Sequence, residues 1–438
     1  MVTGSKFVGV DRESRPRHSL EMKIPGRWLP IMVMVLFAVP VHGEFRAGIA
    51  VRTITPDPLL PVSGGMGPTH PASERRGDLT VRALVFENDG ERVAIVSADL
   101  LGFPAVLGDR VRSRVTGIPG DRILMGATHT HSAPDAYAFP DGQGGTTADL
   151  NYLDTVVARA AEAVTEALQQ LRPASLRVAS GEAKGQIAYN YYAPDLYDPR
   201  VNVLQAVGAD GRPFATLVNY AIHPEVIGSD RGICSPDLIG PLCDRIAAGG
   251  GGTAIFMNSA QGGMVTADNR RPGGEANTWE ECIRIGTLLA DESLRVVKDA
   301  PIQVNPGIRV RTRVVKFPVE SQAMRAVLKG SPLGYATDAE GRISTRIAWV
   351  QLGTATFLTI PGEALPNIGY YLKRKLPGAP VFLLGLTNDA FGYILTAVDW
   401  NSFKRYDYIT RTSLGEQTGE ILIREALQLA ADAPGVAK

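Results

Sequence analysis

Ile123-Leu124-Met125-Gly126-Ala127-Thr128-His129-Thr130-His131-Ser132 is the stretch that decides the fold. Its first half is an apolar run of strand length with no polar residue to mark a wet face. Such a run fits a strand covered on both sides, as strands are in an α/β protein. Its second half changes abruptly to hydroxyls and imidazoles. Residues two apart on a strand point to the same side, so His129 and His131 are expected to face one site. Polar groups delivered from strand ends onto loops are how α/β enzymes build their sites.

Three further runs end in the same way. Leu217-Val218-Asn219-Tyr220-Ala221-Ile222 leads to His223 and Pro224, and Phe357-Leu358-Thr359-Ile360-Pro361-Gly362 leads to Glu363. The run beginning Leu383-Leu384 passes through Asn388 and Asp389 to Tyr393. Short apolar runs at Val93–Val96, Ile123–Met125, Thr216–Tyr220, Ala254–Met257, Thr356–Ile360 and Val381–Leu386 read as buried strands.

Between them the helical period places Leu153, Val157, Ala160, Val164, Leu168 and Leu171 on one face, ahead of Pro173. Thr278 with Glu281 reads as a capping box before Ile285, Leu288, Leu289 and Val296. A last helix is expected from about Gly419 to Ala431. Gly249 to Gly252 reads as a turn, because no Lys-Ser/Thr pair follows to make a phosphate cradle. The expected architecture is α/β, with mixed β-sheets flanked by helices and a metal site at the C-terminal ends of strands. No linker or repeat interrupts residues 44–438, which read as a single compact catalytic domain.

Composition narrows the class. The 438 residues are 45% hydrophobic and 21% charged, near globular averages, with 45 basic and 45 acidic side chains. No basic surplus points to a nucleic-acid partner. Residues 1–43 read as a leader. Lys23 and Arg27 precede the apolar run Leu29–Val41, and Val41-His42-Gly43 resembles a signal-peptidase site. Met22 is a candidate true start. The run is shorter than the roughly 20 apolar residues of a comfortable membrane span. A secreted or periplasmic protein is therefore expected, in preference to an uncleaved anchor. Cys234, Cys243 and Cys282 offer no Cys-x-x-Cys pair; either the first two are bridged or all three are buried thiols.

Neutral imidazoles with one carboxylate suit zinc, and a catalytic zinc keeps one position open for water or substrate. It lowers the pKa of its water to about 7 and polarises the carbonyl under attack, which suits hydrolysis of an unactivated amide. Each residue also has an ordinary reading. His129 and His131 can be a hydrogen-bonded pair, His223 can satisfy a loop, Glu363 can neighbour a helix N-cap, and Tyr393 can be core.

The segments Asp99-Leu-Leu-Gly, Ala127-Thr-His-Thr-His-Ser, Asn219-Tyr-Ala-Ile-His-Pro, Ser235-Pro-Asp-Leu-Ile-Gly, Pro361-Gly-Glu and Gly392-Tyr occur in this order. Together with Gly48-Ile-Ala and Thr53-Ile-Thr-Pro, the set resembles the neutral/alkaline ceramidases over roughly residues 45–430. The resemblance implies an exported α/β hydrolase that cleaves the N-acyl bond of ceramide or a related lipid with Zn2+. It implies His129, His223, Glu363 and Tyr393 as zinc ligands. It also implies that His131 contacts the reacting group, and that His131 and Tyr393 are the catalytic side chains.

Three departures lie on the substrate side. Val265 stands where that family has a serine at the reaction centre, with Thr266 the nearest hydroxyl. Asn190-Tyr191-Tyr192 replaces a segment with an arginine. The third is at the end: the last helix is expected shortly before Lys438, and the C-terminal β-domain of many ceramidases is not expected to follow it. These keep two other readings open: a zinc hydrolase of another exported amide or ester, such as an amino sugar or lactone, and a non-catalytic binding protein of the same fold. The expected partner is a lipid or small-molecule amide, with peripheral membrane contact; oligomeric state is not legible. The Gly-rich stretch Pro140–Thr147 and Tyr189, Tyr191, Tyr192 and Tyr197 are expected to shape the pocket or to form ordinary loop and core.

Overall fold

The computed structural model describes residues 43–432. The leader, with Met22 and the apolar run before Gly43, lies outside these residues. Three sheets share one edge design. The first contains β1 (Arg46–Thr53), β2 (Thr80–Asn88), β3 (Glu91–Ala98), β4 (Ile123–Ala127) and β5 (Arg172–Pro173), in the order β4-β3-β2-β1-β5. The second contains β6 (Ser175–Glu182), β7 (Arg200–Val207), β8 (Pro213–Tyr220), β9 (Thr253–Asn258) and β10 (Ile302–Val304), in the order β9-β8-β7-β6-β10. The third runs β11 (Ile308–Pro318), β12 (Arg342–Leu352), β13 (Ala355–Thr359), β14 (Val381–Leu384).

All neighbours are antiparallel except one edge pair in each sheet. β3–β4, β8–β9 and β13–β14 are parallel. A parallel pair needs a crossover, usually helical. Here the crossovers carry α1 (Ala105–Arg112), α3 (Ile239–Ala248) and α6 (Pro366–Lys375). The remaining helices are α2 (Leu150–Gln169), α4 (Trp279–Val297), α5 (Gln322–Gly330), α7 (Asp407–Arg411) and α8 (Thr418–Ala431).

Alternation along the strands explains how the sheets come together. Val93 and Ile95 of β3, Leu217 of β8 and Phe357 of β13 turn inward to one shared core, where Phe357 stacks on Phe382. The intervening Ala94, Val96 and Ala98 turn outward to α2, Val218 and Tyr220 to α3 and α4, and Leu358 to α6 and α8. Strands buried on both faces read as unbroken apolar runs, and each such large side chain contributes about 1.5–3 kcal/mol.

All six expected strands are present. The helix after Asp149 begins three residues before the expected Leu153, because the Asp149 carboxylate accepts the Tyr152 N–H. Thr278 caps α4 as expected, but Glu281 turns to Arg271 and Arg284 instead of closing the box. All three cysteines are free and buried. Among the described residues, no helix is long and apolar enough to cross a membrane.

Candidate metal centre

The parallel pairs all deliver their strand ends to one place. β4 exits into His129 and His131, β8 into His223, and β13 into Glu363. The two-residue strands Glu363–Ala364 and Tyr393–Ile394 pair in parallel with Glu363 opposite Tyr393, so both side chains emerge on one face. Asn258, at the end of β9, ties the exits together. Its amide donates to the Thr128 and Ile222 carbonyls and its oxygen accepts the Ile222 N–H. A lone buried asparagine thereby joins the His129 loop to the His223 loop.

Close approach is needed elsewhere. A Cβ on Gly262 would lie 2.1 Å from the Glu363 carbonyl oxygen, and one on Gly126 would strike Met257 and Thr387. His129 has φ 75°, a conformation costly for a non-glycine residue and found mostly where surrounding structure imposes it.

Both buried histidines are held in one tautomer. His129 Nδ1 donates to the Leu101 carbonyl at 2.5 Å and His223 Nδ1 to the Val265 carbonyl at 2.8 Å. That leaves the Nε2 atoms to face Glu363 and, once deprotonated, to serve as donors to a metal. They face Glu363 Oε2 at 3.5 Å and 3.0 Å. His131 Nε2 lies 3.4 Å from His129 Nε2, and its Nδ1 is 3.3 Å from Glu225 Oε2.

Burial pushes the Glu363 carboxyl up, but His129 and His223 outweigh it and hold it well below the usual carboxylate range. Burial lowers His223, yet Glu363 and Glu225 raise it to about 9. Burial brings His131 down to about 3 against the pull of Glu225. Glu363 is thus ionised and His131 neutral. Burial, with the Glu363 charge, keeps Tyr393 a phenol. Its hydroxyl donates to Met264 Sδ at 3.2 Å.

Three imidazoles whose nitrogens lie within 4.8 Å of one another, with a carboxylate beside them, are a donor set that fits a metal ion. The set opens on a narrow cleft whose other wall is Met66, Leu101, Tyr137, Phe139, Met324 and Val327. Tyr393 and Tyr408 close one side, their rings 5.9 Å apart.

Sequence reasoning singled out His129, His131, His223, Glu363 and Tyr393, and all but His223 line the cleft directly, His223 standing behind Glu363. Asn388 and Asp389 are structural instead. Asn388 accepts from Met125 N–H and Arg112, and Asp389 accepts the Ala105 N–H at the start of α1. Val265 packs in the core behind His223, and Thr266 helps to hold the Glu225 carboxyl below its usual range.

The pocket-shaping expectation is not met, and the ordinary reading of those residues as loop and core stands. Phe139 lines the cleft, but Pro140–Thr147 and the four tyrosines do not; Tyr191 is 59% exposed. Glu225 and the apolar wall were missed. Glu225 follows His223 by two, a signal that the strand-exit argument would have admitted.

Fold and site together define a mixed α/β protein with a buried imidazole–carboxylate centre beside an apolar cleft. The fold is that of neutral ceramidase. The crystal structure of neutral ceramidase from Pseudomonas aeruginosa superposes with TM-score 0.74 at 17% identity, over 89% of this chain and 74% of that one. A ceramidase complexed with C2 gives 0.73 at 18% identity, over 89% and 75%. No family model matches the sequence, and no curated protein matches it.

Proposed function

We propose that the chain is a zinc-dependent hydrolase of N-acyl amides, with ceramide or a related N-acyl lipid as substrate. The observation that carries this reading is the convergence of His129, His223 and Glu363 at the edge of an apolar cleft. The shared fold supports it. Zinc, when bound, supplies a Lewis acid and an activated water. The chain's own residues hold and aim the rest.

The Leu101 and Val265 carbonyls keep His129 and His223 in the metal-binding tautomer. Met66, Phe139, Met324 and Val327 receive the acyl chain and exclude water from the carbonyl. The Tyr393 hydroxyl, a donor beside Glu363, is placed to stabilise the oxyanion or release the amine. The resemblance gives Tyr393 the fourth metal position and His131 the substrate side. Export through the leader and peripheral contact with a membrane belong to the same reading.

One observation favours a different acyl compound. Among the described residues, no lysine or arginine lines the cleft, and neither Val265 nor Thr266 is part of its lining. A panel of N-acyl sphingosines, N-acyl amino sugars and lactones, assayed by mass spectrometry, separates the two. Preference for long-chain N-acyl sphingosine supports the lipid amidase. Turnover confined to amino sugars or lactones would replace it with the second reading.

A further inference from the structure

The apolar wall of the cleft carries one hydroxyl that the protein leaves without a partner. Tyr137 follows β4, its ring stacked on Phe139 with centroids 4.8 Å apart, and it is only 9% exposed. Its backbone is fully engaged. The N–H donates to Asp135 Oδ1 at 2.7 Å, and the carbonyl accepts from the Ser331 hydroxyl at 3.0 Å and the Tyr335 hydroxyl at 3.5 Å. Asp135 also takes the Phe139 N–H and the Thr147 hydroxyl, so the segment is pinned from both sides. Gly102 makes room for the phenol: a Cβ there would lie 2.1 Å from Tyr137 Oη. The hydroxyl therefore sits beside the residue that follows Leu101, whose carbonyl orients His129.

The other hydroxyls of the cleft are accounted for. Tyr393 donates to Met264 Sδ, Thr412 donates to the Tyr408 carbonyl, and Tyr408 is 39% exposed and open to water. The Tyr137 hydroxyl makes no hydrogen bond with any described residue. Burial, and then the Glu363 charge, keep it a phenol, so it remains a donor. A buried hydroxyl left unpaired is costly, and phenylalanine would fill the same space without that cost. A side chain held rigid by its backbone and neighbours, with its one polar atom unpaired, is arranged for a partner that arrives with the ligand.

We propose that Tyr137 is a specificity-determining residue whose hydroxyl pairs with a hydroxyl of the substrate close to the scissile amide. Two carbons can carry that group: the α-carbon of the acyl chain, and the carbon of the amine portion next to the one that bears nitrogen. This rests on the reading that the cleft receives an N-acyl amide, but not on which residues hold the metal.

The test compares matched pairs of N-acyl amides, with and without a hydroxyl at each of these carbons, on the zinc-loaded full chain. Both kcat/KM and, independently of turnover, Kd by calorimetry are measured. The parent is expected to favour the hydroxylated member of one pair by about 10- to 100-fold, and the pair that responds identifies the carbon. Tyr137→Phe is expected to shrink that preference to within about threefold, losing the hydroxylated compound while sparing the plain one. Zinc content and the unfolding midpoint should stay unchanged. A purely structural tyrosine would instead lower both members together. A parent indifferent to both pairs, or a preference that survives Tyr137→Phe, would overturn this inference while leaving amide hydrolysis intact. A parent that neither binds nor cleaves any of the amides would overturn both.

Discussion

At the polar end of the cleft the donors follow the ends of strands, and buried backbone partners orient His129 and His223: the Leu101 and Val265 carbonyls, with Asn258 tying the two loops together. At the apolar end the wall is assembled from Met66 in a loop, Tyr137 and Phe139 after β4, and Met324 and Val327 on α5. The first region is built on three packed sheets; the second is built from a loop, the segment after β4 and the short helix α5. The difference teaches that, on the proposed reading, metal geometry and substrate choice rest on separate parts of the chain and are open to change independently.

The sharpest break of this contrast lies at the polar end. His129→Ala or Glu363→Ala is expected to abolish zinc retention and lower amidase activity by about 10³-fold or more, without unfolding the chain. Metal analysis with a steady-state assay checks it, and full activity in both variants would end the hydrolase account. Next comes Asn258→Ala. It strands the Ile222 and Thr128 backbone groups in a buried setting, and is expected to cost about 2–4 kcal/mol in denaturant unfolding. It should also weaken zinc, because the two histidine loops lose their tie.

The apolar end should respond differently. Val327→Phe is expected to shift acyl-length preference toward shorter chains by about tenfold in kcat/KM, with zinc content unchanged. Loss of zinc in that variant would show that the two regions are not separate.

The smallest effect is the pH dependence of zinc binding. His223 is raised to about 9, so in the metal-free chain it carries a proton that zinc must displace. Zinc affinity should rise by at most about tenfold per pH unit up to about pH 9, then level. The sign for metal-free stability is opposite. The contribution of this raised pKa is present below 6.5 and fades as pH climbs toward 9. Calorimetry with and without zinc at several pH values reads both trends.

The polar end was legible in the sequence because an apolar run that stops at His129, His223 or Glu363 is a local signal. So were the doubly buried strands, whose outward and inward faces are both apolar. Asn388 and Asp389 show the limit of that signal: they also follow a strand, yet serve Met125, Arg112 and α1. The apolar wall gave no sign, since Met324 and Val327 on α5 look like any core face until tertiary packing brings them opposite His129. Short helices such as α3, entered without a side-chain cap, escaped for a similar reason.

The central claim is that a metal held at the strand ends cleaves an N-acyl bond in the adjoining cleft. It is tested most directly by mass-spectrometric detection of fatty acid released from N-acylsphingosine by purified protein, zinc-stripped and zinc-restored. Release that disappears on stripping and returns with one zinc per chain is the predicted result. Release that is unchanged by stripping, or its absence from zinc-loaded protein with every amide and ester offered, would contradict the account.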